Sequence, residues 1–181
     1  MTEDKLLIRK LKRGSSDALR QIYEKYKSIM LKLAVILLND SGLAEDVVQD
    51  VFLNFARLSP TLKQAKNLKG YLTVAVVNQV RNHIRDCKGK NTTTLDDSDE
   101  VVSKLQRPEQ WAILSEQLKL LSKAMAGIPY EQREVITLYM QGDTTFRQIA
   151  KIQNTSVSTV QGRYRYGIEK LRKLLNHEVE K

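Results

Sequence analysis

The sequence holds one cysteine, three prolines, eight glycines and few aromatic residues, and it has no long apolar run. A single cysteine, Cys87, excludes an internal disulfide and a zinc site built from several thiolates. So few prolines and glycines, with no alternating Val/Thr/Tyr segments, leave little of the pattern a sheet requires, and the chain reads as all-α. The strongest apolar run, Ala34 to Leu38, falls far short of the roughly 18–20 residues that cross a bilayer. The opening residues, MTEDKLLIRKLKRG, are charged throughout and unlike a signal peptide. Neither end carries a lipidation motif. A cytoplasmic protein without membrane association is therefore expected. His83 and His177 are too few and too far apart in sequence to suggest a metal site with Cys87, and no Gly-rich phosphate loop or nucleophile motif is present. No catalytic site, metal or other cofactor is expected.

What the chain does have is positive charge. Its 181 residues carry a formal charge of +9 with a pI near 9.6, and nucleic acid is the default partner for such a balance. The charge is not evenly spread. Residues 1–86 hold fifteen Lys/Arg against nine Asp/Glu, residues 87–110 four against five, and residues 111–181 eleven against seven. The middle stretch, KGKNTTTLDDSDEVVSKLQRPE, combines Gly, a Thr run and an acidic cluster (Asp96, Asp97, Asp99, Glu100) with no helical stripe, and reads as a linker. Two small helical domains joined by a flexible linker are expected, over 1–87, 88–107 and 108–181, the second domain a helix-turn-helix.

In the first domain a short basic helix bears Leu6, Leu7 and Leu11. Ser16 and Asp17 offer a start for a second helix through Leu19, Ile22, Tyr23 and Tyr26 to Leu38. After a turn at Asn39-Asp40-Ser41-Gly42, a third helix runs from Leu43 to about Leu58 with Leu43, Val47, Val51, Phe55 and Leu58 inward. Its outward face carries Asp46, Asp50, Leu53 and Arg57 at helical spacing, with Glu45 and Gln49 beside them. An acidic face with an exposed Leu, on so basic a protein, suits a protein partner better than DNA. A fourth helix spans about Lys69 to Arg85. There Leu72, Val76, Val80 and Ile84 face inward, while Tyr71, Val74, Asn78, Arg81, Asn82 and Arg85 share the other side. Amides and guanidiniums hydrogen-bond unstacked bases and phosphates, and an aromatic ring stacks on a base.

The second domain opens with a helix from Pro108 and Glu109 through Trp111, Leu114, Leu118 and Leu121, with Gly127 as its stop. Further on, Thr145 and Gln148 have the spacing of a capping box, so a helix begins near Phe146 and buries Phe146, Ile149, Ala150 and Ile152. It breaks at Gln153-Asn154-Thr155, where Asn154 best tolerates a left-handed conformation. Ser156 then caps a longer helix with the stripe Val157, Val160, Tyr164, Ile168, Leu171 and Leu175. Two helices about a tight turn, the second basic, describe a helix-turn-helix. Off the stripe lie Ser158, Thr159, Gln161, Arg163 and Arg165. Arg pairs bidentately with guanine and Gln with adenine, while Ser and Thr hold phosphates. Lys170, Arg172 and Lys173 add sequence-independent attraction.

Pro129, Gln132-Arg133-Glu134-Val135, Ile149-Ala150, Ser156-Val157-Ser158-Thr159-Val160, Arg163 and Leu171-Arg172 resemble region four of bacterial sigma factors of the extracytoplasmic-function (ECF) group. Ala44 to Phe52 resembles the most characteristic segment of sigma region two. Asn67 to Leu72, Asn78 and Arg85-Asp86 resemble the segment that melts and holds the minus-ten element. The chain departs from the family in having Gln153-Asn154 for Leu-Gly, Gln161-Gly162 for Lys-Ser, Gly167 for Ala and Tyr71 for Trp, so no DNA-sequence preference is carried over. The resemblance implies a non-enzymatic initiation factor. Asp46, Gln49, Asp50 and Leu53 would dock on the clamp of the largest subunit of core RNA polymerase. Tyr71, Asn78, Arg81, Asn82 and Arg85 would hold single-stranded minus-ten DNA, and Ser158, Thr159, Gln161, Arg163 and Arg165 would read the minus-thirty-five duplex. An anti-sigma factor holds many relatives, although nothing in the sequence marks a site for one. A free-standing helix-turn-helix regulator remains the alternative, and would bind duplex DNA tightly without polymerase.

Overall fold

The computed structural model describes residues 3–58, 67–90, 116–142 and 144–179, and among these the chain forms eight helices and no strand. They are α1 (Glu3–Lys12), α2 (Ser16–Leu38), α3 (Ser41–Leu58), α4 (Leu68–Lys90), α5 (Glu116–Ala126), α6 (Tyr130–Met140), α7 (Phe146–Ile152) and α8 (Val157–Val179). The linker's acidic cluster, the Pro108-Glu109 start, Trp111, Leu114 and residues 59–66 lie outside the described residues. No helix among the described residues is long and apolar enough to cross a membrane.

Helix α2 is the central element. Ile22, Tyr26, Met30, Leu33 and Leu37 recur at intervals of three and four, so they form one continuous buried side. Against α2 pack α1, α3 and α4 from the first half of the chain, and also α5 and α6 from the second. The main core is correspondingly continuous across both halves. Val135, Leu138, Ile149, Ala150 and Val160 belong to the same buried cluster as Ile22, Met30 and Phe55. Truncating one of these fully buried side chains, Met30 or Leu33, to Ala would cost about 2–5 kcal/mol.

Local chemistry sets the helix ends. Ser15, rather than the expected Ser16, caps α2 by accepting from the Ala18 amide, because its own backbone is extended while Ser16 is already helical. Asn39 ends α2 in the left-handed conformation with φ 54°, its amide donating to Val35 O. Asp40 at once caps α3 by accepting from the Leu43 amide at 3.1 Å, so α3 starts two residues earlier than the spacing predicts. Asn67 caps α4 in the same way through the Gly70 amide, and α4 continues to Lys90, five residues past Arg85.

Two apolar residues expected on buried faces, Leu58 (52% exposed) and Val157 (38%), face solvent, as does Leu6 (42%). Each stands in or beside the first or last turn of its helix, where the packed partner surface has run out. Ile8, rather than Leu6, is in the core beside Leu7 and Leu11. Helix α1 is also tied to α2 by charge. Lys25 Nζ reaches Glu3 Oε2 at 2.6 Å and Asp4 Oδ1 at 2.7 Å, and the Tyr26 hydroxyl donates to Asp4 Oδ2 at 2.7 Å. Burial and the bonded Asp4 push the Tyr26 phenol up to about 12, which keeps it a donor.

Candidate nucleic-acid interface

The acidic face of α3 is a consequence of its buried one. Val47, Val48, Val51, Phe52 and Phe55 turn into the core, which leaves Asp46, Gln49, Asp50 and Leu53 on the exposed side together. Leu53 is 56% exposed, a large apolar side chain set among carboxylates. Asp50 accepts from Gln79 Nε2 of α4 at 3.3 Å, which ties the end of this face to the next helix.

On α4 the five candidate residues divide. Asn78, Asn82 and Arg85 are exposed, Arg85 lying beside Asp86 at 3.8 Å. Tyr71 is half-buried with its ring against Phe55, centroids 5.9 Å apart, so only part of its face is available for stacking. Arg81 is partly exposed and its guanidinium is engaged. It forks onto Glu134 of α6, Nη2 onto Oε1 and Nε onto Oε2 at 3.3 Å, and its Nη1 donates to Ile152 O at 2.8 Å.

The helix-turn-helix forms as its local signals dictate. Thr145 and Gln148 make the reciprocal capping box. The α7 end is a Schellman turn: the Thr155 amide donates to Ala150 O and the Asn154 amide to Lys151 O, with Asn154 at φ 49°. Ser156 accepts from the Thr159 amide at 3.0 Å and opens α8, its hydroxyl lying 2.8 Å from those of both Ser158 and Thr159. Three hydroxyls thus gather at the positive end of a long helix, a favourable place for a phosphate. The angle between helices is held by one ring from each: Tyr139 of α6 stacks on Phe146 of α7 at 4.3 Å, and Tyr164 of α8 meets both edge-on at 4.9 and 5.5 Å. Such pairs each contribute about 0.5–1.5 kcal/mol beyond burial.

Along α8, Ser158, Thr159, Gln161 and Arg165 are exposed. Arg165 lies over the Tyr166 ring at 5.0 Å, a stacked cation on the solvent side. Arg163 sits at the border of the buried stripe, and its Nη1 donates to Gln153 Oε1 at 2.7 Å. Gln153 in turn donates through Nε2 to Glu131 O at 3.0 Å and to Glu134 Oε1 at 3.3 Å.

The residues joining the two halves went unassigned in the sequence reading. Glu134 is only 1% exposed, Arg133 donates to Leu37 O at the end of α2 as well as to Ala126 O and Ile128 O, and Lys69 donates to Gln141 O. Burial pulls the Arg133 pKa below its ordinary value, and burial next to Glu134 pushes the Tyr130 phenol up. A signal for Glu134 was present: Tyr130, Glu134 and Leu138 recur every fourth residue, which puts a carboxylate on the inward side of α6. The Cys87 Sγ lies 3.4 Å from His83 Nε2, one helical turn away, and no group of three or more His, Cys, Asp or Glu suitable for a metal occurs among the described residues.

A capped helix-turn-helix with an exposed row of hydroxyl, amide and guanidinium groups, packed on a second helical unit, defines an all-α DNA-binding protein. Comparison with known proteins narrows the class. Residues 22–89 match the family model of sigma-70 region 2, and residues 118–171 that of sigma-70 region 4. The ECF RNA polymerase sigma factor SigW of Bacillus subtilis is 26% identical over 176 residues, covering 93% of this chain and 94% of its own length. The RNA polymerase sigma-H factor of Pseudomonas aeruginosa is 23% identical over 169 residues, covering 89% and 88%. The fold is similar to that of the sigma factor RpoE of Bartonella quintana, solved with the anti-sigma factor NepR (TM-score 0.65, 21% identity, 87% of this chain and 96% of that one). It is likewise similar to CnrH, solved with the cytosolic domain of CnrY (TM-score 0.67, 19% identity, 96% and 97%). The chain belongs to the sigma-70 family, in its ECF group, and is a transcription initiation factor rather than an enzyme.

Proposed function

We propose that this chain is a dissociable, cytoplasmic promoter-recognition subunit of bacterial RNA polymerase whose two halves divide the work. Asp46, Gln49, Asp50 and Leu53 dock on the clamp of the largest core subunit. Tyr71, Asn78, Arg81, Asn82 and Arg85 hold the melted minus-ten strand. Ser158, Thr159, Gln161, Arg163 and Arg165 read the minus-thirty-five element as duplex, with Arg and Gln at base edges and the hydroxyls on phosphates. The domain boundaries that go with this division are 1–87, 88–107 and 108–181. An anti-sigma factor of the kind bound to RpoE and CnrH is a further candidate partner.

The observation that carries the reading is the pairing, on one chain, of a DNA-reading helix with a solvent-facing acidic stripe centred on Leu53. A free-standing regulator has no use for the second feature, whereas a polymerase subunit requires it. Gel filtration with bacterial core RNA polymerase, followed by transcription from a random promoter pool, tests the proposal. Co-elution with new, promoter-selective transcripts is expected. Tight duplex binding by the protein alone, with no co-elution, would make it a regulator instead.

A further inference from the structure

One connected chain of polar contacts runs from Arg81 of α4, in the first half, to Glu134 of α6, Gln153 of the turn and Arg163 of α8, in the second. Its centre is the Glu134 carboxylate, which is 1% exposed. One guanidinium at its end belongs to the minus-ten set and the other to the minus-thirty-five set. We propose that the Arg81–Glu134 pair in this chain of contacts is an intramolecular latch: in the free protein Glu134 of the second half occupies Arg81 of the first, and so withholds a minus-ten cation from the promoter until the halves part. The inference rests on the DNA-contact roles proposed above.

Three physical features support it. A carboxylate taken out of water is tolerated only while a cation and further donors satisfy it, and Arg81 and Gln153 do so here. The burial of Glu134 therefore relies on Arg81, which comes from the other half of the chain. A nucleic-acid strand offers Arg81 the same chemistry that Glu134 does, namely anionic oxygens suited to a guanidinium fork. The two are direct competitors for one side chain. Lys69, a second cation of α4, is also directed across the same boundary, onto Gln141 O at 3.0 Å. The third feature is what the closed form leaves open. Asp46, Gln49, Asp50 and Leu53 stand exposed outside this contact, so a partner that engages them meets the closed chain unhindered.

The test uses the full chain and the variants Glu134→Gln, Arg81→Ala and the double. Small-angle scattering of the free proteins, without DNA or polymerase, reports closure. Both single variants should be larger than the wild type, the first because the charge that holds Arg81 is gone, the second because Glu134 must reach water. Affinity for a fluorescently labelled random-sequence single-stranded DNA oligonucleotide is then measured against salt. Glu134→Gln should bind about tenfold tighter, equivalent to ~1.4 kcal/mol. Its salt slope should steepen by about 0.7, the value of one added phosphate contact on a single strand. Both changes should vanish in the double variant, which lacks Arg81. A folded Glu134→Gln of wild-type size, an expansion with no gain in binding, or a gain that survives loss of Arg81 would each overturn the latch. If Glu134→Gln fails to fold, Arg81→Ala decides by size alone: expanded supports the latch, compact refutes it. Promoter-selective transcription by the wild type with core polymerase is scored in parallel, so that failure of the sigma reading registers separately from failure of the latch.

Discussion

Two glycines five residues apart in α8 should respond oppositely to the same substitution. Gly162 and Gly167 both lie in the helix interior, where exchange for Ala yields about 0.8–1 kcal/mol from backbone entropy alone. At Gly162 an added Cβ meets nothing within 4 Å, so the full amount should appear as stability. For a chain of this size that is a rise in Tm of about 2–4 °C. At Gly167 the same Cβ falls 2.8 Å from Ile136 Cδ1 and 3.2 Å from Gln132 Cβ. The Ile136 methyl is the end of a side chain, but it is buried against Met125 and Ile128 and has little room to swing. Gln132 Cβ is fixed to the α6 backbone, so relief requires α6 and α8 to separate by a few tenths of an ångström. Overpacking of this sort costs about 1–3 kcal/mol, which after the propensity gain leaves Gly167→Ala between neutral and ~2 kcal/mol destabilised. Urea and thermal denaturation followed by circular dichroism would read both variants. Equal stabilisation of the two would show that α6 yields freely to a methyl and would refute the packing argument. No gain at Gly162 would refute the propensity argument.

Three further outcomes are expected. Reversing both Asp46 and Asp50 to Lys should weaken association with core polymerase while sparing duplex binding, since α8 is untouched; equal loss of both activities in pull-down and mobility-shift assays would mean misfolding. Arg163→Ala should flatten the ranking of promoter variants by about 1–3 kcal/mol if a bidentate base contact is lost, and an unchanged ranking in competition binding would leave Arg163 a phosphate contact or a partner of Gln153 only. The α1 contact should be acid-sensitive. Burial alone would raise the Asp4 pKa, but hydrogen bonds from Lys25 and Tyr26 hold it below the ordinary 3.8. A depressed carboxylate stabilises the fold above its unfolded pKa and loses that stabilisation as pH falls through the folded one. Denaturation midpoints of the wild type and Asp4→Asn should therefore differ at neutral pH and converge in acid; a constant gap would contradict this.

Much of the molecule was legible in one dimension because the signals are short-range. The capping box at Thr145 and Gln148, the left-handed Asn154 and the Ser156 cap each depend on neighbours within five residues, and all three are found where the sequence puts them. The acidic face of α3 follows from helical period alone, since burying Val47, Val51 and Phe55 turns Asp46, Asp50 and Leu53 outward. The same period placed Arg81 beside Asn78 and Asn82 on a free face, and there it was insufficient. Arg81 meets Glu134 across 53 residues of chain. Periodicity states which side of a helix a residue occupies, but not which other element faces that side. Glu134 and Arg133 have their roles only because α6 lies against α2 and α4. A buried carboxylate must find a cation, and only the packing of the two halves decided that the cation would be Arg81.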